Sequence, residues 1–161
     1  MDLPGAEHCA FAVVDGSAEE INEAMTDSVK RHFHADVEVG SLLSSGVDSS
    51  YIVSVGKPNK TFTVGYDDPK YNEINYAKDL SDKLGVQNIS KKITQEEYIK
   101  NFPKLMYHMD EPLADPSIIA LHSISELASH HVKVITSGEG ADELFGGYNT
   151  YQEEVNQSWY M

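Results

Sequence analysis

A short segment in the first third of the chain passes from strand to turn to helix, and it constrains the fold more than any other feature. Residues 37–43 are an alternating and then apolar run, residues 44–50 read Ser-Ser-Gly-Val-Asp-Ser-Ser, and residues 51–53 can continue a helix. The first N–H groups of a helix lack intrahelical acceptors, and the macrodipole adds about half a positive charge at that end. The segment therefore predicts an anion site of the kind that binds nucleotide phosphates.

One carboxylate lies inside this otherwise anion-friendly turn. Asp48 would repel a bound phosphate unless a divalent cation lies between the two groups, so the residues predict a nucleotide site that works with Mg2+. A short glycine motif is weak evidence by itself. An ordinary serine-rich turn between a strand and a helix is therefore an open alternative at this point.

Composition limits the partners. The 161 residues suit one domain, and 40% of them are hydrophobic, which is enough for a core. The net charge of −14 argues against nucleic acid or an anionic membrane as a partner, because both bind basic surfaces. Cys9 is the only cysteine, which excludes a disulfide framework, and no apolar run reaches membrane-spanning length. With no recognisable signal peptide, the cytoplasm is the expected location.

Turn and cap residues divide the chain into alternating helices and strands. Ser17 with Glu20, and Thr94 with Glu97, are capping boxes that begin two helices, and Gly85 ends another. Besides the strand before residue 44 and the helix after it, helices are predicted from residues 17, 74, 94 and 117, and strands at residues 61–66, 86–93 and 132–136.

Some details of this pattern carry structural expectations. Residues 1–16 are a lead-in of uncertain origin that could include an edge strand. Pro103 should kink or restart the helix that follows residue 94, because proline lacks the N–H of a helical hydrogen bond. Residues 110–117 contain two prolines and three acids and should form a rigid polar loop, after which Ser117 caps a helix. Residues four apart give the first helix an apolar stripe predicted to lie in the core, formed by Ile21, Met25, Val29 and Phe33.

Alternating strands and helices predict an α/β fold with an open, mainly parallel sheet and helices on both faces. Ligands of such sheets bind beyond the carboxyl ends of the strands. A second glycine turn, Ser-Gly-Glu-Gly-Ala-Asp-Glu at residues 137–143, also follows a strand, so both turns should open onto the same edge. Asp48, Glu139 and Asp142 are then expected on one rim, which is hard to explain as an accident.

These motifs together resemble a known family. Residues 44–50 resemble the pyrophosphate-binding loop of the N-type ATP pyrophosphatases, which GMP and NAD synthetases share. Residues 137–148 resemble the longer and more specific signature of asparagine synthetases and their β-lactam synthetase relatives, and residues 110–117 also resemble the asparagine synthetase pattern. The resemblance covers about residues 17–151. It implies the adenine nucleotide alpha hydrolase-like fold.

The resemblance also implies a reaction. ATP would bind with Mg2+, the β-carboxylate of aspartate would attack the α-phosphate to give β-aspartyl-AMP and pyrophosphate, and ammonia would displace AMP to leave asparagine. Asp48 and Asp142 match the family's Mg2+ ligands, and Glu139 matches its candidate for proton transfer as ammonia attacks. The nucleotide-binding positions that the family implies are Leu42 and Val64 for adenine, Ser137 and Gly138 for ribose and adenine, and Ser44, Ser45, Gly46, Asp48 and Ser49 for the pyrophosphate portion.

The sequence departs from the family in two ways. Ser45 stands where the family usually has glycine, and a positive φ there would strain serine by about 1 kcal/mol, although its hydroxyl could instead donate to a phosphate oxygen. No glutaminase domain and no catalytic lysine can be assigned. Residues 17–161 are therefore expected to be the N-terminal part of a truncated synthetase domain. Its partner would be a glutaminase domain of the same full-length chain.

Alternatives stay open at this point. The chain could be an adenylating relative of the β-lactam synthetase type, or a fragment that binds ATP without turnover. A zinc site built from His32, His34, His130 and His131 has no supporting ligand spacing, so surface histidines are the plainer interpretation. The residues that would recognise the acceptor carboxylate and the oligomeric state are not identifiable from the sequence.

Overall fold

The structure is a computed structural model that describes residues 17–68, 70, 72–111, 115, 117–149 and 151. The predicted lead-in of residues 1–16 lies outside the described residues, as does part of the loop predicted at residues 110–117. The described elements are, in chain order, α1 Ala18–His32, β1 Val39–Leu42, α2 Val47–Gly56, β2 Lys60–Tyr66, α3 Ile74–Leu84, β3 Gln87–Ile93, α4 Gln95–His108, α5 Ser117–Ser129, β4 Val134–Thr136 and α6 Ala141–Phe145.

The predicted helix boundaries follow from side chains that satisfy terminal backbone groups. The Ser17 hydroxyl accepts from Glu20 N, and the Glu20 carboxylate accepts from Ser17 N at 2.8 Å. Thr94 and Glu97 repeat this reciprocal pair at the start of α4. Gly85 ends α3 in the left-handed conformation with φ 70°, which glycine adopts without a steric penalty. Both capping boxes and this glycine stop are therefore confirmed.

Two expectations about helix boundaries need correction. Helix α4 runs as one element from Gln95 to His108, so the restart that was one of the two effects expected of Pro103 does not occur, while the kink stays a prediction. Pro103 is exposed, so the carbonyl that loses its helical partner belongs to the solvent side of the helix. Ser117 is the first helical residue of α5 rather than its cap, and Asp115 Oδ1 accepts from Ser117 N at 2.9 Å.

The apolar stripe of α1 is only partly in the core. Val29 is 6% exposed, whereas Ile21 is 38% exposed. Ile21 and Met25 instead line a shallow apolar groove between α1, α2 and α6. The four-residue spacing predicted the correct face of the helix. It did not predict that only part of that face is buried in the core.

The four described strands form one parallel sheet in the order β3-β2-β1-β4. Ser41 pairs with Thr61 on β2 and with Thr136 on β4, so β1 lies between them. The chain adds β2 and β3 on one side of β1 and then crosses to the other side for β4. The predicted parallel sheet is confirmed, and the reversal of strand order places a switch point between β1 and β4, where open sheets bind ligands.

Helices cover both faces of this sheet. Thr61 and Phe62 are adjacent on β2 and so point to opposite faces. Phe62 packs in an apolar cluster with Ile124 and Ala128 of α5, whereas the Thr61 hydroxyl contacts the hydroxyl of Ser81 on α3 at 3.1 Å. Within the described part of the chain, no helix is both long and apolar enough to cross a membrane.

Candidate functional site

The turn after β1 is held by its own serine side chains. Ser44 N donates to Ser49 Oγ at 3.1 Å, the two hydroxyls of Ser44 and Ser49 lie 2.8 Å apart, and Gly46 N donates to Ser44 Oγ at 3.1 Å. Ser49 is 8% exposed, so it ties the turn to the first turn of α2 from inside. The serines that the sequence offered as ligand donors thus also build the turn.

The start of α2 leaves backbone N–H groups without intrahelical acceptors. Gly46 is the N-cap of α2 with φ −72° and ψ 153°, and it has no side chain to cap the helix. Ser50 N donates to Gly46 O, which is the first hydrogen bond of the helix. The N–H groups of Val47, Asp48 and Ser49 precede that bond and have no intrahelical acceptor. The ten-residue helix therefore presents an anion cradle at its N-terminus.

The second glycine turn packs directly on this cradle. A β-carbon at Gly138 would lie 3.0 Å from Asp48 Cβ and 3.0 Å from Ser49 N. Contacts this close are tighter than nearly all real β-carbon contacts, so a side chain at this position would force the two turns to shift apart. The expectation that both turns open onto the same edge of the sheet is confirmed.

Two further glycines shape the chain after this turn. Gly140 precedes α6 with φ 91°, and Gly146 follows it with φ 66°, both in the region that favours glycine. They enclose the five residues that include Asp142, and Gly147 comes into close contact with the Asp142 carboxylate. The glycines of this motif therefore allow the backbone to turn closely around the Asp142 side chain.

A cavity of about 360 Å3 opens between the two turns. Ten of the eleven predicted site residues line it: Leu42, Ser44, Gly46, Asp48, Ser49, Val64, Ser137, Gly138, Glu139 and Asp142. Leu42 and Val64 pack against the apolar cluster of Phe62 and α5, so the expected adenine positions form an apolar wall. Glu139 is exposed at the cavity edge.

Ser45 is the predicted residue that does not line the cavity. Its hydroxyl donates to Glu73 Oε1 at 2.8 Å in this structure, and the expected contact of that hydroxyl with a phosphate oxygen stays a prediction. Lys57 and Asp110 are the non-glycine residues with positive φ among the described residues, so Ser45 is not strained. Serine is tolerated here because the turn does not need a left-handed residue.

The sequence did not assign several parts of the cavity wall to the site. The side of α5 that faces the site contributes Ser117, Ala120, Leu121 and Ile124, and the remaining lining residues are Leu43, Glu73, Gly140 and Tyr148. The near-continuous apolar pattern of α5 signalled burial but not a ligand. Nothing in the local sequence linked Glu73 to a turn 28 residues away.

The cavity is acidic. Asp48, Glu73, Glu139 and Asp142 line it, and its described lining contains neither lysine nor arginine. An anionic ligand would therefore depend on backbone N–H groups and on a cation. No group of three histidine, cysteine or acidic side chains is arranged to hold a metal ion among the residues described. Two carboxylates suit Mg2+, which commonly takes one or two from the protein and the rest from phosphates and water.

Tyr148 is held at the rim by a carboxylate. Its hydroxyl donates to Glu143 Oε1 at 2.8 Å, and its ring lies edge-on to Tyr151 with centroids 5.5 Å apart. The hydrogen bond to Glu143 raises the pKa of Tyr148 to about 12. The phenol is thus a neutral hydrogen-bond donor throughout the physiological pH range.

Comparison with known proteins agrees with this geometry. The family model for asparagine synthase matches residues 20–161. The chain is 49% identical over 146 residues to the glutamine-hydrolysing asparagine synthetase 1 of Bacillus subtilis, a match that covers 88% of this chain and 23% of that protein. It is 39% identical over 142 residues to a putative glutamine-hydrolysing asparagine synthetase of Mycobacterium tuberculosis, covering 86% of this chain and 22% of the relative.

A solved structure extends the similarity to the fold. An NH3-dependent NAD synthetase from Campylobacter jejuni matches with a TM-score of 0.55 and 17% identity, covering 83% of this chain and 62% of that one. The adenine nucleotide alpha hydrolase-like fold expected from the sequence is confirmed. The chain spans less than a quarter of the length of the two synthetases above.

Proposed function

Since the chain belongs to the asparagine synthase family, we propose that it forms the ATP-binding and Mg2+-binding part of an asparagine synthetase. The observation that carries the proposal is the contact of Gly138 with Asp48 and Ser49, because it makes one cavity of the two family motifs. One motif offers the N–H groups of a helix start, and the other offers Asp142 and Glu139.

The nucleotide would lie across the switch point. Its pyrophosphate portion would accept hydrogen bonds from the N–H groups of Val47, Asp48 and Ser49, while adenine would pack on the apolar wall of Leu42, Val64 and α5. Ser137 and Gly138 line the same cavity and would contact the ribose and adenine. Aligned N–H donors stabilise phosphate charge without a basic side chain.

Asp48 and Asp142 would hold Mg2+. Both are carboxylates on the lining of one cavity, the donor type and number that Mg2+ takes beside phosphates. The ion would neutralise the charge that develops on the leaving pyrophosphate.

The reaction would proceed in two steps. A β-carboxylate oxygen of aspartate forms a bond to the α-phosphorus and pyrophosphate leaves, which gives β-aspartyl-AMP. The nitrogen of ammonia then bonds to the β-carbonyl carbon, AMP leaves, and nitrogen loses a proton to give the amide. Glu139, exposed at the edge of the cavity, is the residue we assign to that proton.

The remaining parts of the enzyme would come from elsewhere in a longer chain. We assign residues 17–161 to the N-terminal part of the synthetase domain, with residues 1–16 as a lead-in. A glutaminase domain of the full-length chain would supply ammonia. A second candidate is that this chain alone binds Mg-ATP without turnover, and the lack of lysine or arginine in the described cavity lining favours it.

Pyrophosphate release tests the proposal. The chain is incubated with ATP, Mg2+, aspartate and ammonium, and each component is omitted in turn. Release that requires aspartate supports the synthetase reaction, and saturable ATP binding without release supports the second candidate. Absence of any Mg-ATP binding at millimolar concentration would contradict both.

A further inference from the structure

Glu73 makes a contact that neither family motif predicts. Its Oε1 accepts from Ser45 Oγ at 2.8 Å, and its Oε2 accepts from Ser45 N at 3.3 Å. One carboxylate thus accepts hydrogen bonds from both the backbone N–H and the hydroxyl of a single residue in the turn before α2. Charged acceptors make stronger hydrogen bonds than neutral ones, so this pair is a stronger tie than the serine contacts beside it.

The backbone around Glu73 is itself fixed against the sheet. A β-carbon at Gly65 of β2 would lie 2.6 Å from Asn72 Oδ1 and 2.9 Å from Ile74 Cγ1, so Asn72 and Ile74, on either side of Glu73, pack closely on the strand. Asn72 Oδ1 accepts from Ile74 N at 3.1 Å, and Ala77 N donates to Glu73 O at 3.0 Å as α3 begins. Glu73 therefore reaches the turn from backbone that is packed and hydrogen-bonded on both sides.

The contact divides the N–H groups of the turn into two sets. Those of Ser44, Ser45 and Gly46 donate to Ser49 Oγ, Glu73 Oε2 and Ser44 Oγ respectively. The next three N–H groups, from residues 47–49, begin the helix and face no intrahelical acceptor. The first set fixes the turn, and the second set is left for a ligand.

We infer that Glu73 is a positioning residue, which clamps Ser45 so that the N–H groups of residues 47–49 stay directed at the pyrophosphate portion of ATP. The inference rests on the proposed function. Glu73 acts through the turn and makes no bond to the substrate. A carboxylate at the edge of a phosphate site also repels the ligand, so the positioning gain must exceed that repulsion.

The test compares two ligands and three single variants by calorimetry. Glu73→Ala removes the clamp, Glu73→Gln keeps an acceptor oxygen without the charge, and Asp79→Ala removes an exposed charge elsewhere on α3. We expect Glu73→Ala to weaken Mg-ATP binding by about tenfold, the scale of a lost charged hydrogen bond. AMP, which lacks the pyrophosphate portion, should bind within about twofold of wild type. Glu73→Gln should restore most of the ATP affinity, and Asp79→Ala should not weaken it.

Amide exchange tests the clamp without any ligand. The N–H of Ser45 should exchange faster in Glu73→Ala than in wild type, while the N–H groups of the β1–β2 ladder keep their protection. Ser45→Gly should weaken ATP binding slightly in the wild-type background and have no effect in the Glu73→Ala background, since the two groups act as one pair.

Several results would overturn the inference. Tighter ATP binding by Glu73→Ala would mean that the carboxylate competes with phosphate for the turn. Parallel losses for ATP and AMP, or no rescue by Glu73→Gln, would mean general damage. If the wild-type chain bound no ATP, the proposed function would fail, and unchanged Ser45 exchange in Glu73→Ala would then reject the clamp independently.

Discussion

The two glycine turns that meet at the cavity are built in different ways. The first is cross-linked by Ser44, Ser49 and Glu73, and it leads into a ten-residue helix whose Val53 is completely buried. The second contains a glycine with positive φ, Gly140, and leads into a five-residue helix without a buried residue. There Leu144 is 74% exposed and Phe145 is 55% exposed.

This difference indicates a division of labour. Side chains and core packing determine the shape of the first turn, so its N–H groups are directed before any ligand binds. The second turn is positioned chiefly by the contact of Gly138 with Asp48 and Ser49. The first turn is therefore held in shape without a ligand, which suits the anion cradle proposed for it, and the second brings acidic residues to it.

The contact at Gly138 joins the two turns, so a substitution there should have the largest effect on the site. In Gly138→Val, the β-carbon would meet Asp48 Cβ and Ser49 N at 3.0 Å, so the second turn must move away. We expect Mg-ATP affinity to fall by about a hundredfold, which corresponds to about 2.7 kcal/mol, at the upper end of overpacking costs. Calorimetry at saturating Mg2+ measures the loss.

Gly85→Ala is the control for this substitution. Gly85 also has a special role, with φ 70° at the end of α3, but the space around it is open. The variant should lose about 1 kcal/mol in the free energy of unfolding and keep its ATP affinity. Equal ATP affinities for Gly138→Val and wild type would show that the two turns do not form one site.

Substitution of the acidic residues tests whether each turn supplies one ligand to Mg2+. Asp48→Ala and Asp142→Ala each remove one carboxylate from the proposed ion, one from each turn. We expect each to weaken Mg2+-dependent ATP binding by about tenfold, and to have little effect when Mg2+ is removed with a chelator. A Mg2+ titration that is unchanged in either variant would remove that residue from the proposed metal site.

Substitution of Ser49 tests how much its side chain stabilises the first turn. Ser49→Ala leaves Ser44 N without its acceptor in a partly buried position, and it should cost about 1–2 kcal/mol in the free energy of unfolding. The neighbouring Ser50 donates its hydroxyl to Gly46 O, which already accepts from Ser50 N. Ser50→Ala should therefore cost less than about 0.5 kcal/mol. Chemical denaturation compares the two, and similar costs would contradict a special role for Ser49.

The smallest expected effect concerns Tyr148 in the second turn. Its pKa is raised from 10.0 to about 12 because its hydroxyl donates to Glu143. The protonated phenol is favoured in the folded state, so this stabilisation is complete below pH 10 and is lost as pH rises through about 12. NMR titration of the tyrosine ring carbons should show one tyrosine that titrates at an unusually high pH, and its signal should be missing in Tyr148→Phe. In Glu143→Gln it should move towards pH 10, and an unmoved titration would contradict the assignment.

The order of helices and strands could be predicted from local sequence. Capping boxes, Gly85 and β-branched runs act through neighbouring residues, so they located the predicted elements of the described chain. Pro103 shows the limit of such rules. The cost of a proline in a helix depends on where the freed carbonyl points, and that depends on the packing of the whole helix.

The candidate site divides in the same way. Each of the two motifs, residues 44–49 and residues 137–142, is a continuous segment that directly follows a strand. Their placement at the same edge therefore followed from the predicted parallel sheet. Glu73 and the α5 wall could not be found in this way, because they reach the cavity through tertiary packing. The hydrogen bond from Ser45 to Glu73 could not be predicted for the same reason, since the two residues are 28 positions apart.

We propose that both turns bind one Mg-ATP molecule. Backbone NMR during a Mg-ATP titration tests this directly. We expect the N–H signals of residues 47–49 and of residues 137–140 to shift together with one dissociation constant. Shifts confined to one turn, or two different dissociation constants, would contradict a single shared site.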